Sequence, residues 1–171
     1  MPLHPKTQIG HIHLTVSDLE RSLRFYRDIL GFEMTQKIGD HAAFLSAGGY
    51  HHHIALNTWG RPQVPTKTGR PGKGAPKAPS GHTGLYHFAI LYPTRKELAT
   101  ALQALMTAKY PLDGAADHGV SEALYLHDPD GNGVELYFDR PRSEWPKDAK
   151  GNLTMLTEEL DLKGLLGEVM N

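Results

Sequence analysis

The chain contains no cysteine, which excludes disulfide frameworks, zinc-thiolate sites and thiol nucleophiles and removes any argument for an oxidising compartment. No apolar run approaches the ~20 residues that a bilayer span needs. The opening MPLHPKTQIG also lacks the apolar core of a secretory signal. A soluble, cytoplasmic protein with no membrane partner is expected. Charge of one sign is missing too: Lys and Arg number 18, Asp and Glu 19, and the formal net charge is −1. Nucleic acid and anionic membranes are recognised by basic surfaces, so the expected partner is a small molecule. Histidine, by contrast, is abundant, with 11 residues, three of them consecutive in GGYHHHIALN (48–57).

The 171 residues suit one compact domain or two small fused units, and the chain contains an internal repeat. HIHLTV (11–16) alternates apolar and polar residues as a half-buried strand does. SDLERSLRFYRDIL (17–30) then places Leu19, Leu23, Tyr26 and Leu30 on one helical face. Ser17 and Glu20 have the spacing of a capping box, and Gly31 stands where a helix stops. AAFLSAGGYHHHIALN reads as two strands joined by a Gly-Gly turn. The second copy runs in the same order: HFAILY (87–92), a helix opening at Thr94 with Glu97 as its capping partner, and ALYLHDPDGNGVELYF (123–138). The expected organisation is a single domain, 1–171. Module 1 spans 8–58, a Pro/Gly-rich linker 59–83, module 2 84–139, and a tail 140–171 includes a short helix within LTEELDLKGLLGEV. The fold class is α+β.

His11 falls on His87 with an offset of 76, and Ala43, Phe44, Ala55 and Leu56 fall on Ala123, Leu124, Glu135 and Leu136 with an offset of 80. Two first-strand histidines meet if the copies pack about a pseudo-twofold axis, and Glu135 can join them. Two histidines and one carboxylate leave open positions on a non-haem Fe(II) ion, with Mn(II) the nearest substitute. The other reading of the same pattern makes these residues ordinary strand histidines and a solvated glutamate.

GHIHLTVSDLERSLRFYRDILGFE and LYLHDPDGNGVELY together resemble the opening and the end of the vicinal oxygen chelate superfamily. That unit is shared by glyoxalases, fosfomycin and bleomycin resistance proteins and extradiol ring-cleaving dioxygenases, and the resemblance covers roughly residues 8 to 145. It implies paired βαβββ modules forming a curved mixed sheet around a metal, with the family's ligand positions on His11, His87 and Glu135. Four-ligand glyoxalases carry a carboxylate on the last strand of both modules, whereas the first-module position here is Ala55. The fosfomycin proteins' basic and hydroxyl set for a phosphonate has no counterpart.

The extradiol enzymes are more similar. They carry a paired histidine at the start of a last strand, matching His51 and His52, of which the second serves as acid and base. They also carry a tyrosine ten positions before the carboxylate, which is Tyr125, and His118 lies near a further polar position. Strict alternation turns His51 and His53 to the face of Ala55, while the family match selects His52; a bulge after the Gly-Gly turn reconciles the two. The resemblance therefore implies a catechol-type substrate, O₂ and Fe(II), or Mn(II), in aromatic compound catabolism. The alternatives are a glyoxalase-like lyase, isomerase or transferase holding Zn or Ni, and a non-catalytic binding protein of the bleomycin-resistance kind. Many extradiol enzymes have four modules and this chain has two, so pocket walls are expected from the linker, the tail or a second subunit. Exposed sheet edges favour such a homo-oligomer.

Overall fold

The computed structural model describes residues 2–58 and 84–170, so the linker 59–83 lies outside the described residues. The described residues form two compact units, one on each side of that segment. Each unit is α+β and each runs βαβββ. The first comprises β1 (Ile12–Thr15), α1 (Leu19–Leu23), β2 (Glu33–Ile38), β3 (Ala42–Ser46) and β4 (Ile54–Asn57). The second comprises β5 (Phe88–Tyr92), α2 (Arg95–Thr107), β6 (Gly114–Asp117), β7 (Ser121–His127) and β8 (Gly133–Asp139). It then adds β9 (Glu158–Glu159) and α3 (Leu162–Met170).

Both sheets are mixed, in the orders β1-β4-β3-β2 and β5-β8-β7-β6-β9. In each, the first strand runs parallel to the last strand of its βαβββ unit, and the pairs flanking the hairpins are antiparallel. A parallel pair needs a crossover, which the rest of each module supplies. The spacing of Leu98, Leu102 and Leu105 on α2 gives one apolar face, and all three are buried where the helix packs on β5 and β8. That packing covers one side of the second sheet, where Leu124, Leu126, Val134 and Leu136 are buried. Alternation sends Tyr125 and Glu135 to the other side.

Several local readings change. The first helix is capped by Asp18, not Ser17: the Asp18 carboxylate accepts from the Arg21 N–H at 2.9 Å, and Ser17 Oγ instead accepts from the Arg21 guanidinium. A carboxylate one residue closer to the first turn wins because it also meets the positive end of the helix dipole. After Leu23 the helix widens into a π turn, Arg24–Ile29, in which Leu30 N–H reaches back to Phe25. The wider turn lets the consecutive Phe25 and Tyr26 both face inward, each almost fully buried, while Leu30 stays only half-buried. Gly31 ends the turn at φ +83.

The histidine run is not part of a strand. β3 ends at Ser46 and β4 begins at Ile54, so His51, His52 and His53 lie in the connection that follows Gly48 and Gly49, both at positive φ. The register between the copies also shifts. Phe44 pairs with Ala55 while Tyr125 pairs with Glu135, so Phe44 corresponds to Tyr125, not Leu124, and the first hairpin is one residue longer. Within LTEELDLKGLLGEV, helix forms only from Leu162, and Glu158–Glu159 before it forms β9, which pairs with β6. Two loops share one geometry. Asp128 accepts from the N–H groups of Asp130 and Asn132 and the Asn132 amide, and Asp148 holds Lys150 and Asn152 in the same way. Among the described residues no helix is long and apolar enough to cross a membrane.

Replacing Asp18 with Ala is expected to lower stability by about 1 kcal/mol in urea unfolding, the usual cost of an N-cap. Ser17→Ala should stay within about 0.5 kcal/mol. The reverse ranking would contradict the cap assignment.

Candidate functional site

The parallel pairing of β5 with β8 sets Ala89 opposite Glu135. His87 lies two residues before Ala89 and so shares its face. Gly133 makes the approach possible: a Cβ there would stand 2.1 Å from the Tyr86 carbonyl oxygen and 2.9 Å from the His87 Cβ. With no side chain in the way, His87 Nε2 reaches Glu135 Oε2 at 2.9 Å. Glu135 is well shielded, with 13% of its side chain exposed, and His87 less so at 31%.

Tyr125 is the direct cross-strand partner of Glu135 on β7. Its hydroxyl lies 3.4 Å from Glu135 Oε1 and 2.7 Å from His118 Nε2. Burial, reinforced by the Glu135 charge, pushes the Tyr125 phenol up to about 12, so it is a neutral hydroxyl at physiological pH. His118 belongs to the turn between β6 and β7 and its Nδ1 is 2.8 Å from the Leu156 carbonyl. His87, Glu135, Tyr125 and His118 thus form one continuous chain of contacts within the second unit.

A cavity of about 110 Å³, open to solvent, lies beside His87 and Tyr125, and Asp113 and His127 also line it. His127 Nδ1 meets Asp113 Oδ2 at 2.5 Å. Sequence reading passed over both residues, although period two from Tyr125 puts His127 on the same face.

In the first unit, His11 immediately precedes β1 and its ring lies 4.4 Å from that of His52, centroid to centroid. His52 also meets Phe44, the counterpart of Tyr125, at 5.1 Å. His52 Nδ1 is 2.7 Å from His51 Nδ1. Burial, and then the neighbouring imidazoles His11 and His51, push the His52 pKa below its ordinary value; this favours the neutral ring, which can accept a proton. His53 turns elsewhere: its Nδ1 accepts from the Ala47 N–H and lies 3.3 Å from Ser46 Oγ. Alternation from Ala55 does not extend to these residues because the strand starts at Ile54. Ala55 itself is fully buried and offers no donor at the position that Glu135 occupies in the second unit. His13, opposite Ala55, is 2.8 Å from the Asn57 amide.

Among the described residues, no group of three or more His, Asp or Glu side chains is placed to hold a metal ion, and His11 is not brought to the His87–Glu135 pair as the sequence pattern predicts. The 2.9 Å His87–Glu135 contact sets two side chains of metal-ligating types side by side. An imidazole with a carboxylate suits Fe, Mn or Zn.

Residues 8–136 match the Glyoxalase/Bleomycin resistance protein/Dioxygenase superfamily. The chain is 45% identical over 166 residues to catechol-2,3-dioxygenase of Bacillus subtilis strain 168, covering 97% of this chain and 53% of the relative. It is 30% identical over 132 residues to biphenyl-2,3-diol 1,2-dioxygenase 3 of Rhodococcus globerulus, covering 77% and 63%. The chain therefore spans about half to two thirds of the length of these curated relatives. A glyoxalase/dioxygenase structure from Nostoc punctiforme superposes with a TM-score of 0.60 at 20% identity, covering 82% of this chain and 98% of that one, a likeness of fold.

Gly133→Ala is expected to cost about 1–3 kcal/mol through overpacking against Tyr86 and His87 and to break the His87–Glu135 contact. Urea unfolding and the His87 ring signals in NMR check this; an unchanged His87 environment would contradict the close approach.

Proposed function

Because the chain belongs to the glyoxalase/bleomycin resistance protein/dioxygenase superfamily, we propose that it is a metal-dependent extradiol dioxygenase that opens a catechol-type ring with O₂. The observation that carries the reading is the His87–Glu135 pair with Tyr125 beside it on one face. The similarity to two dioxygenases named for aromatic diols supports it. The glyoxalase reading is disfavoured by Ala55, which offers no fourth ligand.

His11, His87 and Glu135 are the residues that would hold the ion, Fe(II) or in its place Mn(II). Such an ion, when bound, supplies Lewis acidity that favours deprotonation of a chelating diol, and open positions for both the diol and O₂. Around it the chain supplies three things. His52 accepts a diol proton and returns one to the product. Tyr125 makes a hydrogen bond with a diol hydroxyl, with His118 behind it. The cavity flanked by His127 and Asp113 takes the ring. Both oxygen atoms of O₂ enter the ring-opened product as the carbon–carbon bond beside the diol breaks, so the reaction consumes no external reductant. A soluble, cytoplasmic enzyme, paired with a second copy, fits this role.

The test is to load the chain anaerobically with Fe(II), measure bound metal, and add catechol with air. A yellow ring-fission product with matching O₂ uptake is expected. Retention of only Zn or Ni, with no O₂ consumed, would overturn the dioxygenase reading.

His87→Ala and Glu135→Ala should each lose metal. His52→Ala should keep metal and lose turnover by ~10²–10⁴-fold, the range of a positioned proton-transfer group. Equal metal loss in all three variants would contradict these roles.

A further inference from the structure

The segment Trp145 to Glu159 belongs to neither module, yet it reaches the site. It leaves the second sheet after Arg140, whose carbonyl accepts from Trp145 Nε1 at 2.8 Å. It turns at Asp148–Asn152 and returns to pair with β6, Glu159 opposite Ala116 and Glu158 opposite Asp117. On the way it passes the His118–Ser121 turn, where the Leu156 N–H donates to the His118 carbonyl at 3.0 Å. Gly119 at the centre of that turn has φ +72, and a Cβ on it would stand 2.6 Å from Pro146 Cγ and 3.3 Å from Leu156 Cδ1. The strap lies against the turn because this position is glycine.

The Leu156 carbonyl also lies 2.8 Å from His118 Nδ1. A carbonyl oxygen only accepts, so the proton of the neutral His118 ring sits on Nδ1 and leaves Nε2 bare. The Tyr125 hydroxyl is 2.7 Å from that bare nitrogen and 3.4 Å from Glu135 Oε1. A phenol has one proton to give, and the shorter contact takes it. What the Tyr125 oxygen then presents toward Glu135 and the face beside it is lone pairs.

We propose that the strap, residues 145–159, is a positioning element of the site: the Leu156 carbonyl fixes the Nδ1–H tautomer of His118, which draws the Tyr125 proton away from Glu135 and makes Tyr125 a hydrogen-bond acceptor toward the diol. The tautomer and the direction of the hydroxyl belong to the chain alone. The step toward the diol rests on the reading of His87 and Glu135 as the metal-holding face.

The experiment uses the full chain without added metal, labelled with ¹⁵N-histidine, and reads the ring nitrogens by NMR, with His118 assigned through His118→Gln. The parent chain is expected to show the Nδ1–H tautomer at His118. Gly119→Ala, which pushes Pro146 and Leu156 outward, should shift it toward Nε2–H. Should that variant fail to fold, Trp145→Ala frees the first anchor of the strap and is read in the same way. An Nε2–H tautomer in the parent overturns the proposal. So does Nδ1–H in a folded variant whose Leu156 amide has lost its exchange protection.

Turnover of catechol by the iron-loaded chain supplies the second reading. Gly119→Ala should lower kcat about tenfold, the scale of one misdirected hydrogen bond, with KM little changed. It should cause no further loss in a Tyr125→Phe background. Additive losses overturn the route through Tyr125, because independent effects add. A parent chain that holds the Nδ1–H tautomer but never cleaves a catechol overturns the dioxygenase reading and leaves the tautomer assignment standing.

Discussion

The pairing of β5 with β8 is the constraint from which the second unit's site follows. Parallel strands fix which residues stand side by side, and here the register sets Ala89 against Glu135 with His87 one pleat away. The same register brings His87 over Gly133, where only a hydrogen fits between the strands. A carboxylate shielded from water needs a partner, and His87 is the partner that this register allows. Tyr125 then completes the surroundings from β7, as an uncharged donor or acceptor held neutral by burial.

The two copies divide labour through small departures from one pattern. On the last strand, glutamate in one copy stands where buried alanine stands in the other. On the preceding strand, Tyr125 corresponds to Phe44, so the copy without a carboxylate also lacks the hydroxyl. In exchange, the longer first hairpin carries His52 against His11 and Phe44. An apolar wall beside an imidazole lowers its proton affinity, which suits a residue proposed to receive a proton and give it back. The proposed acid-base group and the paired carboxylate thereby belong to different units.

Much of this was legible in the residues. The strand, capped helix and hairpin of each module, the Thr94 cap and the alignment of Ala55 with Glu135 follow from period, capping chemistry and repeat offset, because each is a local rule that the packing obeys, while the full βαβββ order follows from the family resemblance. The errors have local causes as well. The Ser17 and Asp18 caps compete within one residue, and sequence spacing does not rank them. The Gly-Gly pair signals a turn without giving its length, so alternation alone extends the strand through the histidines and sets the Phe44 register one residue short. The weakly apolar β2, exposed along its whole length, carries no alternation to read. His118 was picked out through family likeness, while its contact with Leu156 joins residues far apart in the chain and leaves no periodic trace. His127 carried a readable signal that was not used.

The loop at Asp148 repeats the geometry of the loop at Asp128, and every bond that shapes it comes from within five residues. A turn held by such short-range contacts forms without waiting for distant parts of the chain. The strap can therefore arrive at Gly119 as a bent hairpin already closed at its tip, with fewer backbone angles left to fix and a smaller entropic cost on docking. A peptide carbonyl carried by that hairpin then sets the orientation of a side chain some forty positions earlier.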